Sequence, residues 1–202
     1  MENVTYDLRK MEKTVKKYID KERFEHTQGV RYTCAALAMK YGCSVTEAQV
    51  AGLLHDCAKN IPNDKKIKLC RKHHLSVSKF ELESPYLLHA KLGAWVAAQK
   101  YNVSNVEILS AITYHTTGKP EMSTLEKIVF IADYIEPKRD KAAHLDVIRR
   151  IAFEDMDECI YLITRDTLEY LNANPKSIDD MTQHAYDYYK NLHEKKELQE
   201  VI

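Results

Sequence analysis

The chain has 202 residues, of which 45% are hydrophobic, enough to build the core of one large domain or two small ones. Thirty Lys and Arg residues balance thirty Asp and Glu residues, so no net charge draws the protein to nucleic acid or to a membrane surface. No apolar run approaches the roughly 20 residues that cross a bilayer. The five cysteines have no regular spacing and no signal peptide precedes them, which predicts reduced thiols in a cytoplasmic protein.

Apolar residues recur at helical spacing along the first half of the chain. Successive amphipathic helices are marked by these sets of residues: Leu8, Met11, Val15 and Tyr18; His26, Val30, Cys34, Leu37 and Tyr41; Ala51, His55 and Ala58; Ile67 and Cys70; His89, Leu92 and Val96. Ser44 with Glu47 forms a capping-box pattern, which predicts where the third of these helices begins. Pro62 and Pro85 predict the starts of the fourth and the fifth.

The same period continues to the end of the chain. It marks helices through Ile108, Ala111, Ile112 and His115; Val129 and Asp133; Leu145, Ile148 and Ile151; Met156, Ile160 and Ile163; and Met181, Ala185, Tyr188 and Leu192. Capping-box patterns at Ser104 with Glu107 and at Ser123 with Glu126 predict two helix starts, and Gly118 predicts a helix end. No strand-like alternation exceeds four residues, and only five Gly and five Pro occur, so the sequence predicts a single all-α domain.

Four histidines and two aspartates interrupt the apolar faces of five predicted helices: His26, His55, Asp56, His89, His115 and Asp133. One buried histidine is more often a hydrogen-bonded core residue than a ligand. Here five predicted helices each bury such a polar side chain, and each would cost about 2 kcal/mol or more without a polar partner. So many independent costs make the core-residue explanation less favourable. Imidazole and carboxylate are natural ligands of divalent ions, and one metal centre would meet all the costs together.

The number of ligands predicts two ions rather than one. His26, His55, Asp56 and Asp133 are expected around the first ion. His89 and His115 are expected around the second, with Asp56 bridging the two. Paired ions activate water and hold phosphate oxygens, so the arrangement favours phosphoryl transfer to water.

Five ordered blocks carry a resemblance to a known family: RFEHTQGV at residues 23–30, GLLHDCAK at 52–59, PYLLHA at 85–90, YHTTG at 114–118 and ADYIEP at 132–137. The chain resembles the HD-domain metal-dependent phosphohydrolases, and among them the symmetrical bis(5'-nucleosyl)-tetraphosphatases. The resemblance implies a single HD-domain helical bundle over residues 1–202, with a motif core at 23–140 and C-terminal helices at 141–195. It also allows for a homodimer.

The resemblance further implies a di-iron centre and the hydrolysis of diadenosine tetraphosphate to two ADP by a metal-activated water. The ligand types alone would equally suit manganese, cobalt or zinc. Asp56, Lys59 and Asp133 form the expected catalytic set, in which Asp133 orients the water as well as binding metal. Two alternatives remain open: hydrolysis of another nucleotide, and a non-catalytic nucleotide sensor.

Three groups of residues are candidates for contact with substrate phosphates. Lys59 follows His55 by four residues and is expected to neutralise a phosphate, with a head that is solvated when no substrate is bound. The alternative for Lys59 is a plain lysine at a helix end. Hydroxyls and amides of Thr116, Thr117 and Gly118 offer hydrogen bonds, although ordinary helix termination also explains them. Arg139 is the third candidate, with a surface arginine as its alternative.

A basic cluster follows the second block: Lys65, Lys66, Lys68, Arg71 and Lys72. It would steer an anionic nucleotide toward the site or, as the sequence favours, form a solvated outer helix face. Cys57 beside the motif is expected to be a small core residue and not a nucleophile.

Overall fold

The computed structural model describes residues 5–173 and 178–200, and every regular element in these two ranges is helical. The helices are α1 (Leu8–Val15), α2 (Lys21–Tyr41), α3 (Val45–Leu54), α4 (Asn63–Lys72), α5 (Lys79–Glu83), α6 (Leu88–Tyr101), α7 (Val106–Tyr114), α8 (Thr124–Ile135), α9 (Leu145–Ile151), α10 (Met156–Ala173) and α11 (Asp180–Glu200). A 3-10 turn, Pro85–Leu87, leads directly into α6. The predicted all-α fold is confirmed. None of the helices in the described ranges has both the length and the apolar character needed to span a membrane.

Side-chain caps begin two helices where the sequence predicts them. The Ser123 side chain accepts from the backbone N–H of Glu126, and the Glu126 carboxylate accepts from the backbone N–H of Ser123, which completes a capping box at α8. Ser44 caps α3, but its box is only half formed because the Glu47 carboxylate accepts from the Asn105 side-chain amide instead.

Two helix starts differ from the prediction. Asn105 and not Ser104 caps α7, since its side-chain oxygen accepts from the first-turn N–H groups of Glu107 and Ile108. A further capping box, Ser78 with Glu81, begins the short helix α5, which the periodicity does not reveal. Five residues are too few to show a helical repeat.

α2 lies at the centre of the fold and packs against α3 and α8. Its predicted inward stripe is confirmed, because Val30, Cys34 and Leu37 are fully buried. α6 and α7 pack on each other, and α10 joins α11 to the rest through α8. Tyr18 is exposed, contrary to the prediction, because α1 already ends at Val15.

The ends of two helices bring ligand candidates to one place. α3 stops at Leu54 and not beyond Ala58 as predicted, so His55 is the residue that follows the helix and residues 55–60 form turns. His115 follows α7 in the same way. In both cases the ring Nδ1 donates a hydrogen bond to the carbonyl oxygen three residues earlier. If the helix continued, a backbone N–H would donate to that carbonyl instead.

Gly52 allows a close approach between α2 and α3. A Cβ at this position would lie 2.9 Å from Cys34 Sγ and 3.0 Å from Arg31 Cα. At Gly93, another helical glycine, the nearest atom would be the His55 carbonyl oxygen at 3.4 Å, an ordinary van der Waals contact.

Replacing these two glycines by alanine should have different effects on stability. Gly52→Ala forces the α2 backbone away, and overpacking of this kind typically costs about 1–3 kcal/mol, more than the roughly 1 kcal/mol gained in helix propensity. Gly93→Ala should leave the free energy of unfolding unchanged or higher. Urea denaturation of the three proteins measures both effects, and a Gly52→Ala variant as stable as Gly93→Ala would contradict the close approach.

Candidate metal centre

The four histidines and two aspartates that the sequence singled out converge at one place. Their ring nitrogens and carboxylate oxygens form three overlapping groups, in each of which the atoms lie within 4.8 Å of one another: His26, His55 and Asp56; His55, His115 and Asp133; and Asp56, His89 and His115. Five of the six residues are buried and Asp133 is partly exposed.

Asp56 lies between the histidines and is only 2% exposed. Its Oδ1 is 3.1 Å from His89 Nε2 and 3.6 Å from His115 Nε2. Its Oδ2 is 3.5 Å from His55 Nε2. The two oxygens of one carboxylate therefore face different histidines.

Backbone carbonyls fix the orientation of three imidazole rings. Each Nδ1 lies within hydrogen-bond distance of the carbonyl oxygen three residues earlier: His55 to Gly52 at 2.7 Å, His89 to Tyr86 at 2.5 Å, and His115 to Ile112 at 2.7 Å. A carbonyl only accepts, so each Nδ1 carries the proton and donates it. Each Nε2 then presents its lone pair to the cluster, as a metal ligand must.

His26 is held by a carboxylate that the sequence analysis did not single out. Its Nδ1 lies 3.1 Å from Glu136 Oε1, and its Nε2 lies 3.0 Å from Asp133 Oδ1. Glu136 is buried and also accepts from the backbone N–H of Lys138. Gly29 makes room for it, since a Cβ there would come within 2.3 Å of Glu136 Oε2. The available signal was the position of Glu136 within the ADYIEP block, three residues after Asp133.

The electrostatic environment favours the charge states of metal ligands. Burial alone would raise the pKa of Asp56, but its interactions with His55, His115 and His89 hold that pKa well below its ordinary value. Burial likewise opposes ionisation of Asp133, and the hydrogen bond with His26 together with nearby charges keeps its pKa well below normal. Burial lowers the pKa of His89 to about 4, although Asp56 acts in the opposite direction. Near pH 7 the two carboxylates are charged and His89 is neutral.

Three buried polar atoms of the cluster, His26 Nε2, His55 Nε2 and Asp56 Oδ1, have polar neighbours but make no hydrogen bond of good geometry. An unmet buried acceptor costs about 1–3 kcal/mol. All three are lone-pair donors of the kind that divalent cations take, so a metal ion would satisfy the three together. The residues present fit a metal.

Lys59 and Thr116 lie against the cluster. Lys59 Nζ is 3.1 Å from His89 Nε2 and 3.6 Å from Asp56 Oδ1, so the prediction of a solvated head is wrong. Thr116 Oγ1 is 3.1 Å from His115 Nε2. The Thr117 hydroxyl, in contrast, donates to the carbonyl of Gly118, which has a φ of 64° and takes part in ending α7.

Two arginines contact the carboxylates from outside. Arg139 is an exposed residue, and it donates to Asp133 Oδ1 and to the Asp133 carbonyl, both at 3.0 Å, so this surface arginine contacts the site. Arg23, which the sequence analysis did not assign, donates to Asp56 Oδ2 at 2.9 Å. Both arginines line a cleft of about 650 Å³ that opens beside His26.

Cys57 follows Asp56 in the sequence, but its thiol does not belong to the cluster. Its Sγ faces the carbonyl of Gly93 at 3.5 Å, and burial, followed by the charge of Asp56, raises the pKa of Cys57 to about 12. The thiol is therefore protonated near pH 7, as expected of a core residue.

Comparison with known proteins places the chain among HD-domain proteins. The family model described as the HD domain matches residues 23–138. The symmetrical bis(5'-nucleosyl)-tetraphosphatase of Bacillus subtilis is 32% identical over 86% of this chain and 92% of its own length, and that of Halalkalibacterium halodurans is 35% identical over 86% and 91%. A crystal structure from Clostridium acetobutylicum, described as a predicted HD superfamily hydrolase involved in NAD metabolism, is 31% identical, with a TM-score of 0.89 over 93% of this chain and 99% of that one.

The family match spans the region that holds all six clustered residues, and the relatives match over most of their length. The chain belongs to the HD-domain family and, within it, to the family of the symmetrical bis(5'-nucleosyl)-tetraphosphatases.

Proposed function

We propose that the chain is a metal-dependent hydrolase that cleaves diadenosine tetraphosphate symmetrically into two ADP. The observation that carries the chemistry is the buried cluster in which Asp56 faces histidines on both of its oxygens. The substrate is proposed from the shared name of the curated relatives, including that of Staphylococcus aureus, 31% identical over 91% of this chain.

Two divalent ions are proposed, with iron preferred and with manganese, cobalt or zinc also suited to the ligands. His26, His55, Asp56 and Asp133 would hold one ion, and His89 and His115 would hold the other together with Asp56. When bound, such a pair supplies water with a lowered pKa and neutralises charge on phosphate oxygens.

Asp133 is proposed to orient the attacking water as well as to bind metal. Its carboxylate is ionised, and its side chain is 20% exposed, the largest exposure among the six residues of the cluster. The water oxygen adds to an inner phosphorus and a water proton passes to solvent, the P–O bond from that phosphorus to the central bridging oxygen breaks, and ADP departs as a stable anion. No dedicated general acid is required for this leaving group.

Lys59 is proposed to bind a phosphate oxygen during the reaction. His89 Nε2 has one lone pair, so it either accepts from Lys59 or binds an ion. If His89 were to hold a metal, the Lys59 ammonium would no longer donate to it and would be free to bind phosphate as a point charge. Thr116 beside His115, and Arg139 through its free guanidinium N–H groups, are proposed as further contacts, with Thr117 and Gly118 contributing through the turn.

The remaining proposals concern the chain as a whole. We propose one HD domain over residues 1–202, because α10 packs on α8 and the hydroxyl of Tyr189 in α11 accepts from the backbone N–H of Met122 at 3.2 Å. The C-terminal part, 141–195, includes residues outside those that the structure describes. Cytoplasmic location and assembly as a homodimer are further proposals from the sequence.

Product analysis tests the activity. Purified protein incubated with diadenosine tetraphosphate should release two ADP per substrate, and AMP with ATP should be absent. Elemental analysis of the same preparation should exceed one metal per chain. A metal-replete preparation that binds the dinucleotide without turnover would establish the sensor alternative, and release of inorganic phosphate from mononucleotides alone would establish another substrate.

Removing the Lys59 charge should impair catalysis. Lys59→Met keeps most of the apolar stem, and kcat/KM for diadenosine tetraphosphate should fall roughly 10-fold or more, because a hydrogen bond to a charged group contributes about 1.5–3 kcal/mol. Metal content should not fall, since the ammonium competes with an ion for His89. Lys65 is exposed, so Lys65→Met is the matched control. Equal steady-state rates for Lys59→Met and Lys65→Met would show that Lys59 has no role in catalysis.

Weakening the support of His26 should reduce metal affinity. Glu136→Gln keeps an acceptor for His26 but loses the negative charge, and loss of such an outer partner commonly costs 10–100-fold in metal affinity. We expect about a 10-fold loss, measured by titration of metal-free protein, with Glu154→Gln on the exposed surface as the control. Equal affinities in the two variants would mean that Glu136 has only a packing role.

A further inference from the structure

Arg149 in α9 is hydrogen-bonded to the segment that follows α8. Its Nε donates to the carbonyl oxygen of Ile135 at 2.9 Å. Its Nη2 donates to the carbonyl oxygens of Glu136 and Arg139, at 2.9 and 2.8 Å. All three acceptors are backbone atoms within residues 135–139, so one guanidinium fixes the main-chain path of this segment.

The way in which α8 ends explains why these carbonyls need an outside donor. α8 stops at Ile135, Glu136 has a non-helical ψ of 150°, and Pro137 has no backbone N–H. The last carbonyls of a helix have no intrahelical partner, and a nearby cation stabilises their partial negative charge. The guanidinium of Arg149 presents its N–H groups in one plane at fixed angles, which suits several acceptors at once better than a lysine ammonium does.

Arg149 is held on a well-packed support. Its helix, α9, buries Leu145 and Ile148 and packs against both α8 and α10. Arg149 itself is partly buried, whereas the next residue, Arg150, is exposed. The two adjacent arginines therefore differ in environment although they share a helix.

The segment that Arg149 fixes carries two side chains that contact the metal centre. Glu136 Oε1 lies 3.1 Å from His26 Nδ1, and Arg139 Nη2 donates to Asp133 Oδ1 at 3.0 Å. His26 and Asp133 are ligand candidates for the same ion. Arg149 is thus linked, through the backbone of residues 135–139, to the support of that ion.

The ligand candidates of the other ion are supported differently. The rings of His89 and His115 are oriented by the carbonyls of Tyr86 and Ile112, which belong to the 3-10 turn and to α7. A disturbance of residues 135–139 should therefore reach one half of the centre and leave the other half unchanged.

We propose that Arg149 is a positioning residue, which holds residues 135–139 so that Glu136 and Arg139 keep His26 and Asp133 in place for the first ion. The inference rests on the proposed function, because it takes the two ions from there, but it does not depend on the substrate. The alternative is that Arg149 only stabilises the fold as a cap of α8, in which case both ions would be affected alike.

Arg149→Lys tests the proposal, since lysine keeps the positive charge near the end of α8 and loses the planar set of donors. Arg150→Lys is the matched control, with the same substitution at the adjacent, exposed residue. Full-length proteins loaded with Mn²⁺ are titrated with a chelator, and the ions retained per chain are counted. Arg149→Lys should lose one ion at a chelator concentration about 10-fold lower than the parent does, as is common when an outer partner of a ligand is disturbed. Its other ion, and both ions of Arg150→Lys, should stay within about 2-fold of the parent.

Two further measurements separate positioning from a general loss of stability. Arg149→Gln keeps a side-chain amide donor without the charge, and it should show the same selective loss of one ion. A double-mutant cycle with Glu136→Gln tests whether Arg149 acts through Glu136. If it does, the combined loss of affinity should stay near about 10-fold, well below the roughly 100-fold product expected of independent effects.

Three results would overturn the positioning role: ion retention by Arg149→Lys equal to that of Arg150→Lys, equal weakening of both ions, or a double variant whose loss equals the product of the single losses. Each of them counts even if the parent hydrolyses diadenosine tetraphosphate. Conversely, if one ion is lost selectively but the dinucleotide is not cleaved by the parent, the positioning role stands and the proposed activity fails.

Discussion

The carboxylate of Asp56 is the group on which the rest of the structure depends. A buried charge is expensive unless it is paired, and Asp56 is surrounded by ring nitrogens of three histidines, by the Arg23 guanidinium and by the Lys59 ammonium. These partners come from separate parts of the chain: Arg23 from α2, His55 and Lys59 from the turns after α3, His89 from α6 and His115 from the end of α7. The helices must therefore meet in one arrangement for the charge to be balanced, and that arrangement brings the remaining ligand candidates together.

The histidines are oriented by a local device that repeats. At His55 and His115 a helix ends, which leaves carbonyl groups without an intrahelical partner. The ring Nδ1 donates to one of these carbonyls, three residues earlier in the chain. At His89 the carbonyl comes from the 3-10 turn that precedes α6. The end of a helix thus also orients a candidate metal ligand, and the close approach of α3 to α2 at Gly52 keeps the end of α3 in place.

Local patterns were sufficient for much of the fold. Helical periodicity and serine caps predict most of the helices, and the six ligand candidates stand out because histidine or aspartate interrupts an otherwise apolar stripe. The partners that act over long sequence distances were not predictable in this way: Glu136 contacts His26 across 110 residues, and Arg23 contacts Asp56 across 33. Lys66 shows a different limit: it is buried, so the expected solvated face is wrong for it, and the composition of a basic helix does not say which lysine faces inward. Its spacing of four from the buried Cys70 was the relevant signal.

The hydrogen bonds between ring Nδ1 atoms and backbone carbonyls also bear on how quickly an ion would exchange. A histidine ligand on a free side chain can swing aside by a rotamer change within nanoseconds. The Nδ1 atoms of His55, His89 and His115 are each hydrogen-bonded to a nearby backbone carbonyl, so none of the rings can turn away without breaking that hydrogen bond. Release of a bound metal would thereby be coupled to local opening of the backbone next to these histidines, a slower process with its own free-energy cost, and the centre would retain metal kinetically as well as by affinity.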